Sequence, residues 1–374
     1  MRSNSVRSWI AAAVLAVSPG VLLAAESATP APAAVPSWTD MLTAWGLTAN
    51  GYVAASYYQS NGYPFNVNEF DTQHDTFQLD QAGLQVAYQP KSGFGALVDV
   101  IAGEDARILN EAESGPTDQS VFDVRQAFLQ YATGPLTVIA GKFVTLAGAE
   151  VINPTQNTNF SRSLLFTWSE PLTHTGLRAT WAVNDTLNLI GGVNNGWNVT
   201  STSYGSKTGE AGLAWTPNKT FSLATQAYFG KNQQYDGERT LVDVVATYNA
   251  TSALTFIVNF DWDEQQFPTG PGASWNGAAL YVNYALNDRW RLSVRGEYLD
   301  DKDGFNFGGT GQTLKEGTVT VGYAPAKNFE LRVEGRYNKG QYDVFYRSNP
   351  NAASPELADS LSEVAIQGVY KFGT

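Results

Sequence analysis

The sequence has no cysteine among its 374 residues and only two histidines, His74 and His174. Without cysteine it has no disulfide framework, thiolate zinc site or iron–sulfur cluster. Two histidines far apart in sequence do not indicate a multi-histidine metal site either. Glycine-rich phosphate loops and nucleotide-binding fingerprints are also missing. We therefore expect no cofactor and no bound metal.

Charge is scarce and has one dominant sign. Charged residues make up 16% of the sequence, and 35 acids against 23 Lys and Arg give a formal net charge of −12. Nucleic-acid binding needs a basic surface to neutralise phosphates, so this balance excludes it as the expected function. The sequence is rich in glycine (35) and in Tyr, Phe and Trp (18, 19 and 10), a composition typical of an all-β protein with much apolar surface.

The N-terminal residues have the pattern of an export signal. Arg2 and Arg7 precede an apolar run, Pro19 and Gly20 interrupt it, and small residues close it at 24–25. A membrane anchor would need about 20 unbroken apolar residues. The pattern predicts a signal peptide at 1–25. Residues 26–44 are then a periplasmic linker with a short N-terminal segment that ends in one helical turn, and 45–374 form the folded body.

From residue 45 onward the dominant hydrophobic period is two. In 254–263, Val258 and Phe260 share one face and Asn259 and Asp261 share the other, and 290–299 and 329–338 repeat this alternation. Such alternation indicates strands whose two faces meet different surroundings. This observation alone does not distinguish a soluble sandwich, whose apolar faces pack against each other, from a barrel whose apolar face meets lipid.

The number of strands and the lengths of their connections favour the barrel. Sixteen candidate strands begin near Trp45, Thr76, Gly95, Val121, Leu136, His174, Thr186, Lys207, Thr220, Arg239, Leu254, Ser274, Arg289, Thr313, Asn328 and Leu361. Short turns such as 133–135 alternate with long connections such as 103–120, 146–173 and 339–360. An even strand number with short turns at one rim and long loops at the other is the outer-membrane pattern. The sequence predicts an all-β, transmembrane, antiparallel up-and-down β-barrel of sixteen strands. An error of one hairpin in this count would give fourteen or eighteen strands.

The arginines decide which face of each strand meets lipid. One Arg at the lipid midplane of a barrel costs roughly 2–4 kcal/mol, so four would cost on the order of 10 kcal/mol. Arg291, Arg295, Arg332 and Arg336 are therefore expected in the lumen, either as a basic ladder or paired with neighbouring glutamates. Aromatic residues near strand ends are expected to form interfacial girdles. These are Trp45, Tyr58, Trp262, Trp290, Tyr298, Tyr323, Tyr337 and Tyr370.

The longest internal connection, 146–173, is the expected constriction. A barrel of sixteen strands encloses an aqueous channel that side chains alone do not fill. We expect this connection to fold inward rather than to cover the rim, with charged residues of the loop and of the wall lining the pore. The predicted pore-lining residues are Lys142, Glu150, Arg162, Glu170, Arg178, Asp261, Arg291, Arg295, Arg332 and Arg336.

Several short motifs carry a family resemblance. They are Gly141-Lys142-Phe143, EVIN at 150–153, NFSRSLLF at 159–166, PLTHTGLR at 171–178 and NNGW at 194–197. Together they resemble the OmpL-like family of β-barrel porins in Gram-negative outer membranes. The resemblance implies an outer-membrane channel for small solutes and supplies no catalytic set. The expected partners are outer-membrane lipid, small hydrophilic solutes, the outer-membrane assembly machinery and, by analogy with other porins, a homotrimer.

The expected function is passive diffusion of small hydrophilic solutes and ions, and other functions stay open beside it. A sugar-specific channel would use the predicted lumen aromatics Tyr52, Tyr228 and Tyr281 as stacking surfaces. A plugged structural or adhesive barrel would conduct nothing. An outer-membrane hydrolase would need His174 beside a serine, for which Ser161, Ser163 and Ser169 are near in sequence only. We do not expect an enzyme.

Overall fold

A computed structural model of the chain describes residues 38–64, 67–202, 205–232 and 237–373. The predicted signal peptide and residues 26–37 of the linker lie outside the described residues. The strands are β1 (Thr48–Ser60), β2 (Thr76–Tyr88), β3 (Gly93–Ala102), β4 (Phe122–Thr133), β5 (Leu136–Val144), β6 (Thr173–Asn184), β7 (Leu187–Asn194), β8 (Thr208–Trp215), β9 (Phe221–Asn232), β10 (Gly237–Asn249), β11 (Leu254–Gln265), β12 (Ala273–Ala285), β13 (Trp290–Asp301), β14 (Gln312–Ala326), β15 (Phe329–Gly340), β16 (Phe345–Tyr346), β17 (Leu357–Ala358) and β18 (Ser360–Gly373). The helices are α1 (Trp38–Ala44), α2 (Glu104–Ser114) and α3 (Leu164–Trp168), with a 3-10 turn at Pro154–Gln156.

Sixteen of these strands form one closed barrel. Strands β1 to β15 pair antiparallel in chain order, and β18 closes the barrel between β15 and β1. The remaining strands, β16 and β17, form a separate two-residue ladder in the loop before β18. The predicted sixteen-strand, up-and-down, antiparallel barrel is therefore confirmed, and the strands begin within three residues of their predicted starts.

The connections sort by length as the sequence predicted. Strands β4 and β5 are joined by two residues and β14 and β15 by two more, whereas long connections follow β3, β5 and β15. Among the described residues, no helix is both long and apolar enough to cross a bilayer.

The two faces of the strands have the predicted orientation. Val258, Val294 and Val333 are exposed on the outside, whereas their neighbours Arg295 and Glu334 are buried inside. Six predicted girdle residues are exposed on the outer surface, namely Trp45, Trp262, Trp290, Tyr298, Tyr337 and Tyr370. A seventh, Tyr323, is partly exposed and packs 4.4 Å from Trp290 between ring centroids. The outside of the barrel is thus an apolar band of the kind that lipid solvates.

The prediction for Tyr58 is wrong. Tyr58 is 1% exposed and points inward, where its hydroxyl donates to Glu363 and its ring lies 6.1 Å from Phe160. Strand β1 keeps a strict two-residue period, so Tyr58 must share the inner face with Tyr52. The outward aromatic at this end of β1 is Tyr57, whose ring centroid lies 4.7 Å from that of Phe77.

Two β-bulges lie in strands whose alternation of apolar and polar residues is irregular. In the pairing of β1 with β2, Ala54 is opposite Gln81 and Ala55 is opposite Leu79, so Asp80 is the extra residue in β2. As a result, Asp80 and Gln81 both face inward. This is the phase change that the sequence shows near Gln81. A second shift lies in β4, opposite Asp99 and Ile101, and it turns both Arg125 and Gln126 towards the interior.

Candidate pore and inward loop

The connection between β5 and β6, residues 145–172, lies inside the barrel and is called the inward loop from here on. Wall carboxylates accept its backbone N–H groups. Glu334 accepts from Phe160 at 2.6 Å and from Ser161 at 3.0 Å, and Glu297 accepts from Leu164 at 2.8 Å. Loop backbone far from water needs such partners, because an unpaired buried N–H is costly. The wall therefore supplies the hydrogen bonds that a surface loop would obtain from solvent.

The wall arginines bind the carbonyl groups of the same loop. These contacts join Arg291 Nη1 to Thr158 O at 2.5 Å, Arg332 Nη1 to Pro154 O at 3.0 Å, Arg295 Nη1 to Ser161 O at 2.9 Å and Arg336 Nη1 to Arg162 O at 2.7 Å. The four arginines lie on β13 and β15, with β14 between them. They hold the loop in place rather than standing free along an open lumen.

Each of these arginines also pairs with carboxylates. Arg295 is 1% exposed and lies 2.8 Å from Glu150, 3.0 Å from Glu297 and 3.1 Å from Glu316. The other pairs are Arg291 with Glu330 at 2.5 Å, Arg332 with Glu330 at 2.9 Å and Arg336 with Glu363 at 3.3 Å. Of the two arrangements left open by the sequence, paired lumen charges describe this wall.

Apolar side chains complete the docking of the inward loop. Leu164 and Leu165 are buried in one cluster with Trp275 and Leu299 from the wall. On the opposite side, Phe166 packs in a second cluster that includes residues of α2 and of the connection after β1. The interior is therefore partly filled by apolar packing.

Within the inward loop, Glu150 and Arg162 fix its own shape. Glu150 accepts from the Ser163 N–H at 2.6 Å. Arg162 donates to the carbonyl groups of Val151 at 2.9 Å and Phe160 at 2.8 Å, so it ties the two limbs of the loop together. Both residues are buried and lie within the structure of the loop.

Lys142 and Arg178 lie on the adjacent wall strands, as predicted, and both are paired. Lys142 Nζ lies 2.7 Å from Glu113 and 3.0 Å from Asp123. Arg178 lies 2.8 Å from Glu210, and its guanidinium carbon lies 4.2 Å from the ring centroid of Phe143. The last two predicted residues, Glu170 of the inward loop and Asp261 of β11, are brought together in a buried acidic cluster with Asp243 of β10.

A cavity opens at the short-turn end of the barrel, beside the first and last strands of the barrel sheet. It measures about 590 Å³, and its lining includes Tyr52, Gln85, Arg125, Lys327 and Lys371. A smaller cavity of about 80 Å³ continues between the inward loop and β2 to β4, and shares Gln85 and Arg125 with the first. The two cavities therefore adjoin beside the inward loop, and the larger one lies at the mouth.

Sequence reasoning did not single out Arg125 or Gln85 as lining residues. Arg125 donates to Asp99 at 2.7 Å and to the Tyr52 hydroxyl at 2.9 Å. The bulge in β4 obscures the alternation at this position, so the facing of Arg125 could not be read. The available signal was the arginine itself, because a charged side chain in a barrel strand must avoid lipid.

The aromatic residues proposed for sugar stacking all face inward, but their surroundings differ. Tyr228 and Tyr281 are fully covered, and the ring of Tyr228 stacks on His174 at 4.6 Å. Only Tyr52 of the three borders the 590 Å³ cavity. Two of the three rings therefore present no surface on which a sugar could stack.

The hydrolase alternative gains no support at His174. Its Nδ1 lies 3.1 Å from the carbonyl oxygen of Gly196. Ser163 instead caps α3 by accepting from the Phe166 N–H, and Ser161 accepts from Arg295. In the part of the chain that the structure describes, no serine hydroxyl is hydrogen-bonded to His174.

Solved outer-membrane channels share this fold at low sequence identity. OmpT of Vibrio cholerae has 13% identity and a TM-score of 0.61, covering 87% of this chain and 97% of its own. The outer-membrane channel DcaP of Acinetobacter baumannii likewise has 13% identity and a TM-score of 0.61, covering 87% of this chain and 97% of its own. An anion-selective porin from Comamonas acidovorans has 11% identity and a TM-score of 0.58, covering 87% of this chain and 99% of its own. No curated protein sequence is significantly similar to this chain.

The family assignment rests on the sequence itself. Residues 46–372, almost the whole of the described barrel, match the family described as "Putative beta-barrel porin-2, OmpL-like". The matched residues include every barrel strand, the inward loop and the wall that holds it. A closed barrel with an apolar outer band is the structure that such a channel requires. The chain therefore belongs to this family of outer-membrane β-barrel porins.

Proposed function

We propose that this porin conducts small hydrophilic solutes and ions passively, along a narrow route between the inward loop and strands β1 to β4. The observation that carries the proposal is the pair of adjoining cavities on this side of the loop, about 590 Å³ at the mouth and about 80 Å³ further in. On the opposite side, the hydrogen bonds to Glu297 and Glu334 hold the loop against the wall. Solute size is then limited by the inward loop.

Planar-bilayer conductance tests the route directly. Gln85 lines both cavities, whereas its neighbour Val86 is exposed on the outer face. Gln85→Trp narrows the proposed route and is expected to lower the conductance, because passage depends on the diameter of the pore. Val86→Trp adds the same ring on the lipid side and leaves the conductance unchanged. Equal conductance in the two variants would exclude this route.

A plugged barrel without conductance is the second candidate. It is favoured by the depth at which the inward loop and its apolar clusters fill the interior. The planar-bilayer current of the wild-type protein distinguishes the two functions. A porin gives stepwise currents at low voltage, and a plugged barrel gives none. The reversal potential in a salt gradient then reports the ion preference of the conducting form.

We also propose that the protein assembles as a homotrimer. The support is the solved trimer form of OmpT from Vibrio cholerae, which has a TM-score of 0.60 and 14% identity to this chain. Native mass spectrometry of the detergent-solubilised protein measures the stoichiometry. A monomer under gentle conditions would refute the trimer and leave the channel proposal intact.

We propose, finally, that residues 1–25 are a signal peptide removed on export to the outer membrane. The support is the order of a basic start, an apolar run and small residues. The intact mass of the protein recovered from outer membranes tests it. A mass that includes residues 1–25 would contradict the prediction.

A further inference from the structure

Three carboxylates from different parts of the chain meet inside the barrel wall. Glu170 comes from the inward loop, Asp243 from β10 and Asp261 from β11, and one oxygen of each lies within 4.8 Å of the other two. Asp243 and Asp261 are direct partners in the register of their two strands. Like charges placed directly opposite each other destabilise a strand pair. Such a cluster needs a compensating group.

The described neighbours compensate this cluster incompletely. Asp263 adds a fourth buried carboxylate on the same face of β11. Arg239 donates to Asp263 at 3.4 Å, while its guanidinium carbon lies 3.9 Å from the ring centroid of Trp197. The Asn259 amide donates to Asp243 at 2.8 Å and to Asp261 at 3.2 Å, which adds dipoles but no charge. Among the described residues in contact, one arginine therefore faces four acids.

Glu170 provides a separate indication of a ligand. Its side chain is 6% exposed, and neither carboxylate oxygen receives a hydrogen bond from any described residue. One oxygen of Asp243 and one of Asp261 also lack a hydrogen-bond partner among the described residues. Burying an ionised carboxylate without donors is among the most costly arrangements in a protein interior. Each of the three carboxylates thus keeps at least one buried oxygen without a hydrogen-bond donor.

The backbone of the inward loop is shaped around the Glu170 carboxylate. Gly148 has a φ of +87°, and a Cβ added there would lie 1.9 Å from Glu170 Oε2. The next residue, Ala149, donates its N–H to Asn259 Oδ1 at 2.8 Å, which turns the Asn259 amide towards the two aspartates. Only glycine allows the loop to pass so close to this carboxylate.

We propose that Glu170, Asp243 and Asp261 bind one hard divalent cation, with Ca²⁺ favoured, which fastens the inward loop to β10 and β11. Two oxygens that each lie about 2.4 Å from a Ca²⁺ ion can be at most about 4.8 Å apart, and the three carboxylate oxygens lie within 4.8 Å of one another. Carboxylates are the ligands that Ca²⁺ prefers, and it accepts irregular geometry more readily than Mg²⁺ does. The inference does not depend on which solutes the barrel conducts.

Calcium binding is measured on the full folded chain, refolded into detergent free of lipopolysaccharide, because that lipid itself carries divalent ions. After treatment with EDTA and desalting, calorimetric titration with CaCl₂ is expected to give one ion per chain, and Ca²⁺ raises the melting temperature. Glu170→Gln and Asp261→Asn each replace a charged ligand by a neutral amide and are expected to weaken binding by at least about tenfold. Glu356→Gln, an exposed acid in the last loop, binds Ca²⁺ like the wild type.

A second measurement separates cation binding from simple misfolding. In EDTA the wild-type carboxylates repel one another, so Glu170→Gln and Asp261→Asn melt at the same temperature as the wild type or higher. With Ca²⁺ at a concentration that saturates the wild type but not the variants, the order reverses, because the wild type gains more stability from the bound ion. The proposal is overturned if the wild-type chain binds no Ca²⁺ beyond what Glu170→Gln binds. It is equally overturned if the wild-type melting temperature is the same in EDTA and in Ca²⁺.

Discussion

At the scale of single residues, Arg295 shows how a lumen charge becomes part of the interior. It faces Glu150, Glu297 and Glu316 and donates to the carbonyl oxygen of Ser161, all within 3.1 Å. One guanidinium thus serves carboxylates from two wall strands and from the inward loop. Its planar set of donors suits this task better than a lysine would.

Replacing Arg295 with Met is expected to destabilise the barrel by about 3–5 kcal/mol, because it leaves buried carboxylates without their cation. Urea-induced unfolding in detergent micelles measures this change. The matched control is Lys339→Met, which removes a cation whose partner, Asp359, is also exposed. The control is expected to unfold like the wild type. Equal unfolding midpoints for both variants would show that the buried network adds no net stability.

A pH response is expected in the connection after β1. Burial raises the pKa of Asp71 to about 7, with a further increase from the negative charge of Glu363 and an opposing effect of Arg336. Burial likewise raises the pKa of Glu69 to about 8. At pH values between the ordinary carboxyl pKa and these raised values, both carboxyls stay protonated while the segment 67–75 is docked. They lose their protons when the segment undocks. Docking is therefore strongest in acid and weakens as the pH rises through this window.

Hydrogen exchange of residues 67–75, corrected for the intrinsic pH dependence of exchange, measures this effect. From pH 5 to pH 8 the opening free energy is expected to fall by at least about 1 kcal/mol. Asp71→Asn combined with Glu69→Gln removes both titrating groups and should abolish the pH dependence. A wild-type segment that opens equally at both pH values would contradict the assigned burial of these carboxyls.

At the scale of elements, the inward loop owes its position to a few wall carboxylates. Glu334 accepts two loop N–H groups and the Thr320 hydroxyl. Glu334→Gln keeps the size but replaces one acceptor by a donor, and it removes a charge-assisted bond of about 1.5–3 kcal/mol. We expect faster hydrogen exchange in 155–165 and a noisier open-channel current. The exposed substitution Glu356→Gln is the control, and unchanged exchange in Glu334→Gln would exclude this anchoring role.

The strands could be predicted from sequence because each residue in a strand meets one of two surroundings. Val294 and Arg295 are neighbours with opposite requirements, and only one facing satisfies both. The bulge in β2 was visible as a change of phase near Gln81, whereas the bulge in β4 hid the facing of Arg125. The error at Tyr58 came from weighing its place near a strand end above the two-residue period of β1.

The partners of the inward loop could not be predicted in the same way. Its charged residues indicate an interior position, but the bond between Phe160 and Glu334 joins residues 174 positions apart. No local period reports such a contact. The meeting of Glu170 with Asp243 and Asp261 likewise depends on how the loop crosses the barrel. Sequence alone names these residues as inward-facing acids and leaves their neighbours undetermined.

At the scale of the whole molecule, stability depends on the outer surface lying in a bilayer. Val294 is exposed in the middle of β13, and Leu286 is exposed in the short turn before it. An arginine costs about 2–4 kcal/mol at the midplane of a lipid-facing barrel and about 0–1 kcal/mol near the interface. Val294→Arg should therefore destabilise the barrel strongly, and Leu286→Arg should have little effect.

Urea titrations of the barrel folded into phosphatidylcholine vesicles, followed by tryptophan fluorescence, give the two free energies of unfolding. The difference between the two losses of unfolding free energy is informative, because both variants introduce the same side chain on the outer surface and differ in its depth in the bilayer. In a barrel surrounded by water, both arginines would be solvated and both substitutions would be nearly neutral. Equal costs at the two positions would thus remove the physical basis for placing the apolar band in lipid, and with it the channel function.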